Sequence, residues 1–249
     1  VEIDGMTVDN GAHILVGAYR ETLRLMQKVG ADGTALKRHP LHLEYPGQMK
    51  LAAPRLPAPL HLGWTLPTAK GLSWRDTLAA IRFMQSLKAK GFRLAADMSA
   101  ADLLAVHRQP ERVRRYLWEP LCLAALNTPA ASASAQVFLN VLRDSLAADR
   151  AASDLLLPAT DFSSLFPEPA ARYIEARDGK VHRSTRIASL DDLLHFDHRV
   201  LAVAPYHLAP LAPEIAAQFR FDWQPIATCY LAYAPEVKLS FPMLGLDGG

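Results

Sequence analysis

Two cysteines in 249 residues are too few for a disulfide framework. Cys122 and Cys229 lie far apart in apolar surroundings, which suits a reducing compartment with both thiols as small buried hydrophobes. Charge of one sign is lacking as well: 27 Lys and Arg stand against 25 Asp and Glu, a formal net charge of +2. Phosphate recognition needs clustered basic side chains. The densest group here, Arg108, Arg112, Arg114 and Arg115, reads as the solvated face of a helix, so no nucleic-acid surface is expected. No apolar run nears the ~18 residues that span a bilayer, and the opening residues do not read as a secretory signal. The chain has no Gly-x-Gly-x-x-Gly fingerprint, no Walker-type phosphate loop and no Gly-x-Ser-x-Gly nucleophile elbow. Gly30-Ala-Asp-Gly33 and Gly245-Leu-Asp-Gly-Gly249 are glycine-rich but lack a strand–turn–helix context. His39 with His42, and His195 with His198, have metal-compatible spacing without a third ligand, and no metal site is expected.

What is present is an ordinary globular balance, 50% hydrophobic and 21% charged, on a chain long enough for one large domain or two of usual size. Both ends carry hydrophobic pattern. Termini usually lie in polar, exposed segments, so both read as cuts within a longer chain. Asp9-Asn10-Gly11 follows the first alternating stretch, and Asn-Gly is a turn signal. Tyr19, Leu23, Met26 and Val29 recur at helical spacing, with Gly30 at the stop position. From 37 to 67 six prolines break an alternating pattern, which predicts short strands with edges and turns.

Ser73-Trp-Arg-Asp76 and Ser99-Ala-Ala-Asp102 look like helix starts, each with a capping hydroxyl and an acid three residues on. Helices are predicted over 73–90, 99–106, 110–126 and 132–148, the last with Phe138, Val141, Leu142 and Leu146 on one face. A shorter helix follows at 170–176. Asp178-Gly179 turns into a strand at 180–188. The run 196–205, with an unalternated apolar core from Val200 to Ala204, reads as a strand of a parallel sheet buried on both faces. A helix at 207–218 and a strand at 226–234 complete the pattern. Strands at both ends around a helical insert suggest two interleaved domains. Trp74, Phe83, Met84, Tyr116 and Trp118 read as core, or as the wall of a cavity for an apolar ligand.

The segment Val8-Asp-Asn-Gly-Ala-His13, with Ile14 to Leu23 after it, resembles amine-oxidase and phytoene-desaturase flavoproteins just beyond their Gly-Gly-Arg turn. Trp118-Glu-Pro-Leu-Cys-Leu-Ala-Ala-Leu-Asn-Thr-Pro129, then Ser132 to Asp144, is similar to the hydroxysqualene dehydroxylases. The likeness continues through Gly179-Lys-Val, Thr185-Arg-Ile187, Val200-Leu-Ala-Val-Ala-Pro-Tyr-His-Leu208 and Phe241-Pro-Met-Leu-Gly245.

The resemblance implies an α/β fold with an α+β insert. A partial Rossmann-like FAD-binding domain (1–36 and 161–209) would interleave with a substrate domain of mixed sheet plus helical block (37–160 and 210–249). It implies FAD as cofactor and a large apolar isoprenoid as substrate. The reaction would be dehydroxylation of hydroxysqualene to squalene in hopanoid synthesis. Carotenoid-type desaturation, amine oxidation and a non-catalytic isoprenoid-binding module are the alternatives.

By the same resemblance Gly11, Ala12 and His13 would face the flavin ring. Ile187 would lie by the adenine, and Ala204 and Pro205 would end a strand beneath the cofactor. Plain strand packing is the other reading of Ile187, Ala204 and Pro205, and a hairpin glycine that of Gly11. His13 is the candidate catalytic acid because imidazole titrates near neutrality, with Tyr45 or a residue outside this sequence as the alternatives. The family's dinucleotide unit would lie before Val1, so this chain alone is expected to bind FAD poorly and to be inactive. A cytoplasmic location with peripheral contact at the inner membrane is expected, since the substrate partitions into lipid.

Overall fold

In the computed structural model, residues 2–246 are described apart from 4, 12, 58, 59, 235 and 240. Strands β1 (Glu2–Ile3) and β2 (Met6–Thr7) form an antiparallel pair. After β3 (Leu15–Val16), helix α1 (Arg20–Lys28) ends before Gly30, whose φ of 75° stops it as the pattern predicts. The proline-broken segment supplies β4 (Leu36–His39), β5 (His42–Tyr45) and β6 (Met49–Ala52), and β5 pairs with β6 so that Leu43 faces Leu51 and Glu44 faces Lys50. It also holds a helix, α2 (Leu60–Thr65), where the sequence pattern predicts only strands. The Pro57 carbonyl accepts the His61 N–H at 3.2 Å, and proline ahead of a first turn opens helices as readily as it blunts strands.

The helical block follows as α3 (Trp74–Ala89), α4 (Ala100–Val106), α5 (Glu111–Val113), α6 (Glu119–Leu126) and α7 (Ala135–Val141). Its starts are made by side-chain caps. The Ser73 hydroxyl accepts the Asp76 N–H at 3.2 Å, while the Asp76 carboxylate accepts the Ser73 N–H at 2.9 Å. Ser99 caps α4 through the Asp102 N–H at 3.0 Å. The last helix starts two residues later than predicted, because Ser134 rather than Ser132 accepts the Val137 N–H. Between α5 and α6 the chain runs through a π-helical stretch, Arg114–Trp118, and a second one, Leu142–Leu146, continues α7. Such stretches are rare and concentrate at functional sites.

Strand β7 (Leu155–Pro158) had no sequence signal, yet it is the centre of a three-stranded antiparallel sheet in the order β3–β7–β4. The core lies between the β5–β6 pair and the helical block, where Phe83, Leu104, Val113, Trp118, Phe138 and Leu139 are buried together. Gly71 fixes one corner of it. Its φ is +86°, and a Cβ there would overlap the Gln48 carbonyl.

The remaining short helices are α8 (Phe162–Leu165), α9 (Pro167–Glu175), α10 (Pro205–Leu208) and α11 (Pro213–Ala216). The chain divides into two compact units, Val1–Ala170 with Ile226–Gly249, and Ala171–Pro225. Within the second, the helix predicted over 207–218 breaks at Ala212, with φ −147°, ahead of Pro213.

Several expectations are corrected. No strand forms at 180–188, 196–205 or 226–234, and every strand pair among the described residues is antiparallel. A strand needs a ladder partner, and none of the described residues pairs with these segments; Val200 is 91% exposed. Trp74 is neither core nor cavity wall, since it opens α3 at 70% exposure with the Arg75 guanidinium over its ring. Arg112 does not simply meet solvent: it donates to the carbonyls of Gly71 and Gln48, tying α5 to the turn beside β6. Cys122 is buried, but Cys229 is exposed because its expected strand is not formed.

Candidate functional site

The turn expected to face a flavin ring is held by its own backbone. Gly11 has φ +110° and donates its N–H to the Asp9 carbonyl at 2.8 Å. That carbonyl also accepts the Tyr230 hydroxyl at 2.8 Å, and the Asp9 carboxylate accepts the Phe162 N–H at 3.0 Å. A Cβ at Gly11 would stand 3.7 Å from Thr228 Oγ1 and 3.9 Å from His13 Nε2, so its Cβ side is open to van der Waals distance. His13 is exposed and packs edge-on against Phe162 at 5.2 Å. Ala12 lies outside the described residues. Gly11 and His13 are thus brought together. Ile187, Ala204 and Pro205 belong to the second unit: Ile187 sits in a segment without a ladder, and Ala204 and Pro205 cap and open α10.

Gly11, without a Cβ, leaves a stretch of backbone that a flat group could approach closely. Gly11 does not supply a diphosphate cradle, since its N–H is already used, and among the described residues there is no glycine-rich strand–turn–helix. Among the described residues no group of three or more His, Cys, Asp and Glu converges to hold a metal.

His42 takes part in a different array. His42 Nε2 lies 2.8 Å from Glu44 Oε2, and the Lys50 ammonium lies 2.9 Å from the same oxygen. Hydrogen bonds from Lys50 first and His42 second hold the Glu44 carboxyl below its usual range. Phe241, from a stretch that carries the family likeness, stacks on the His42 ring at 3.9 Å, with His39 edge-on to it at 5.6 Å.

One apolar concavity was not located by sequence reasoning beyond the suggestion of an aromatic and Met wall. It is a half-open cavity of about 240 Å³ between the β5–β6 pair and the helical block. Leu41, Leu43 and Leu51 form one side. Leu62, Gly63, Thr65 and Leu66 in and just beyond α2, Ile81, Met84 and Gln85 of α3, and Leu117, Trp118, Leu121 and Leu146 form the others. None of these residues is charged. The Thr65 hydroxyl is engaged with the His61 carbonyl, and Trp118 Nε1 is engaged with Gln109 Oε1 at 2.8 Å. The lining therefore presents carbon, with the Gln85 amide as its one polar side chain of any length. Next to it on α2, His61 is 1% exposed, and neither ring nitrogen has a hydrogen-bond partner among the described residues. Burial, then the nearby Arg150 charge, pushes its pKa down.

The profile of the family described as flavin containing amine oxidoreductase matches residues 1–245, and the chain belongs to that family. It is similar to a probable zeta-carotene desaturase of Synechococcus elongatus, 26% identical over 206 residues, covering 77% of this chain and 43% of that protein. It is also similar to a hydroxysqualene dehydroxylase of Sinorhizobium fredii, 25% identical over 271 aligned residues, covering 98% of this chain and 60% of that protein. The chain spans about half the length of the curated relatives it matches. Among the described residues no helix is long and apolar enough to cross a membrane.

Proposed function

We propose that the chain is the central part of an FAD-dependent oxidoreductase that reductively dehydroxylates hydroxysqualene to squalene in hopanoid synthesis. The observation that carries this reading is the cavity, whose lining holds no charge. An ammonium group there would lose its water with no carboxylate in return, which disfavours an amine substrate. The flavin, when bound, supplies hydride chemistry. In the reaction the C–O bond breaks, a C–H bond forms, and the oxygen leaves as water with one added proton. His13 holds that proton beside Gly11, and the carbon-lined cavity takes an apolar part of the substrate.

Residues 1–36 and 161–209 contribute to the FAD-binding domain, and 37–160 with 210–249 to the substrate domain. The protein works in the cytoplasm with peripheral contact at the inner membrane. A carotenoid-type desaturation is the second reading, favoured by the likeness to a carotene desaturase at nearly the same identity.

The deciding experiment extends the chain to its full reading frame, loads FAD, and supplies hydroxysqualene with a reductant. Squalene as product supports the proposal. No product, together with oxidation of a polyene, moves the assignment to desaturation. In the active protein His13→Ala should lower turnover by roughly a hundredfold while FAD stays bound; a change within about threefold removes the proton from His13. The 249-residue chain alone should purify without a flavin absorption spectrum, and near-unit occupancy would overturn that expectation.

A further inference from the structure

The four lining residues contributed by α2 and the residue after it, Leu62, Gly63, Thr65 and Leu66, share one face of the helix, with Gly63 at its solvent-facing rim. Nothing in the backbone calls for glycine at this position. Gly63 lacks a positive φ, and a Cβ there meets no atom of the described residues within 4 Å. Glycine inside a helix weakens it, yet the smallest residue stands beside this apolar opening where packing and backbone would both allow a larger one. The far walls are also specially made. Leu117 and Trp118 come from the first π-helical stretch and Leu146 from the second, so both departures from regular helix deliver residues to this one cavity.

We propose that Gly63 is the doorway of a subsite for the uncharged, branched hydrocarbon end of an isoprenoid, and that the size of this residue limits what enters. The inference deepens the isoprenoid reading given above and rests on it for the identity of the natural ligand. Size sets the length of the segment. A ~150 Å³ apolar cavity accommodates benzene, and in proportion the cavity takes about ten carbons, or two isoprene units. A longer substrate therefore leaves most of its chain outside, beyond the doorway. The carbon lining selects against charge: geraniol fits, whereas geranylamine, of the same shape but cationic near neutral pH, loses its hydration without a partner.

The test uses the 249-residue chain and reads the emission of Trp118, which is 1% exposed and lies in the cavity wall, while Trp64, Trp74 and Trp223 are 60% exposed or more. Geraniol should bind with a saturable change in the buried-tryptophan emission, and geranylamine should bind about tenfold more weakly or worse. Gly63→Phe should fold with an unchanged or raised thermal midpoint and lose geraniol binding by about tenfold or more, with Gly63→Ala close to the parent. Should Gly63→Phe fail to fold, Ile81→Phe fills the same cavity from α3 and should give the same loss. Absence of saturable geraniol binding overturns the proposal, as does equal binding by folded Gly63→Phe and Ile81→Phe, or equal binding of the amine. Turnover of hydroxysqualene by the flavin-loaded longer protein is scored separately. Loss of that activity with the doorway effect intact sinks the reaction but leaves the subsite, and the converse result sinks the subsite alone.

Discussion

Phe138 and Trp118 in the helical block are almost wholly buried, whereas Phe221 and Trp223 in the second unit are more than half exposed. Both regions carry apolar residues in a pattern that predicts regular structure; helices form in both, but the strands predicted in the second do not. The difference lies in where each structure finds its hydrogen-bond partners. A helix closes its bonds within its own segment and needs only a face to bury. A strand leaves its N–H and C=O groups pointing sideways, and without a neighbouring strand it gains neither ladder nor burial. Residues 180–188 and 196–205 have the composition of strands but no partner among the described residues.

The largest test of this contrast is truncation of core against surface. Phe138→Ala should cost about 3–5 kcal/mol, the range for emptying a packed aromatic site. Val200→Ser, at a fully solvated position, should stay within about 0.5 kcal/mol. Urea unfolding of the two variants measures both. A large loss at Val200 would mean that 196–205 is packed after all, and the contrast would dissolve.

A smaller effect concerns the capping box of α3. Ser73→Ala removes one acceptor and leaves the Asp76 N–H without its cap, which should cost about 1 kcal/mol. The cap also shows why this part of the fold was legible. Ser73 with Asp76, and Ser99 with Asp102, act within four residues, so the sequence alone locates both helix starts. The π-helical stretches have no comparable local signal. Arg114–Trp118 and Leu142–Leu146 are read from sequence as plain helix, and their effect is only visible once Leu117, Trp118 and Leu146 meet at one cavity. β7 was missed because its partners, β3 and β4, lie more than a hundred residues earlier. Of the candidate site, the Gly11 turn and the helical wall could be anticipated; the opening at Gly63 could not, because a glycine among prolines and strand-like pattern reads only as a turn.

His61 sharpens the comparison from inside the well-packed unit. Its two ring nitrogens are buried without partners among the described residues, so His61→Leu should be neutral or stabilising rather than costly. The pH dependence has a definite sign. Burial lowers the folded pKa below the ordinary 6.5, so the unfolded chain takes up a proton before the folded one does as pH falls. Stability from this source is full above pH 6.5 and is lost as pH falls through the lowered folded value. His107, lowered by burial and then by Lys90, acts in the same direction. His61→Leu should therefore flatten, without abolishing, the loss of stability below pH 6.5, measured as urea midpoints across that range. An unchanged slope would mean that water or a partner group reaches the ring.

The smallest effect changes neither stability nor activity, only reactivity, and it places one probe on each side of the contrast. Cys122 is buried in α6, and burial, then the Glu119 charge, pushes its thiol up to about 11. The thiolate is the reactive form, so at neutral pH almost none exists at that position, and the surrounding side chains bar the reagent as well. Cys229 is exposed, in the segment where a strand was expected. Iodoacetamide should therefore label Cys229 readily in the native chain and Cys122 only after denaturation, as mass spectrometry of the labelled peptides would show. Protection of Cys229 would mean that 226–234 is paired in solution, so the strand pattern of its sequence is realised there. Ready labelling of Cys122 would mean that the helical block opens far more easily than its packing implies.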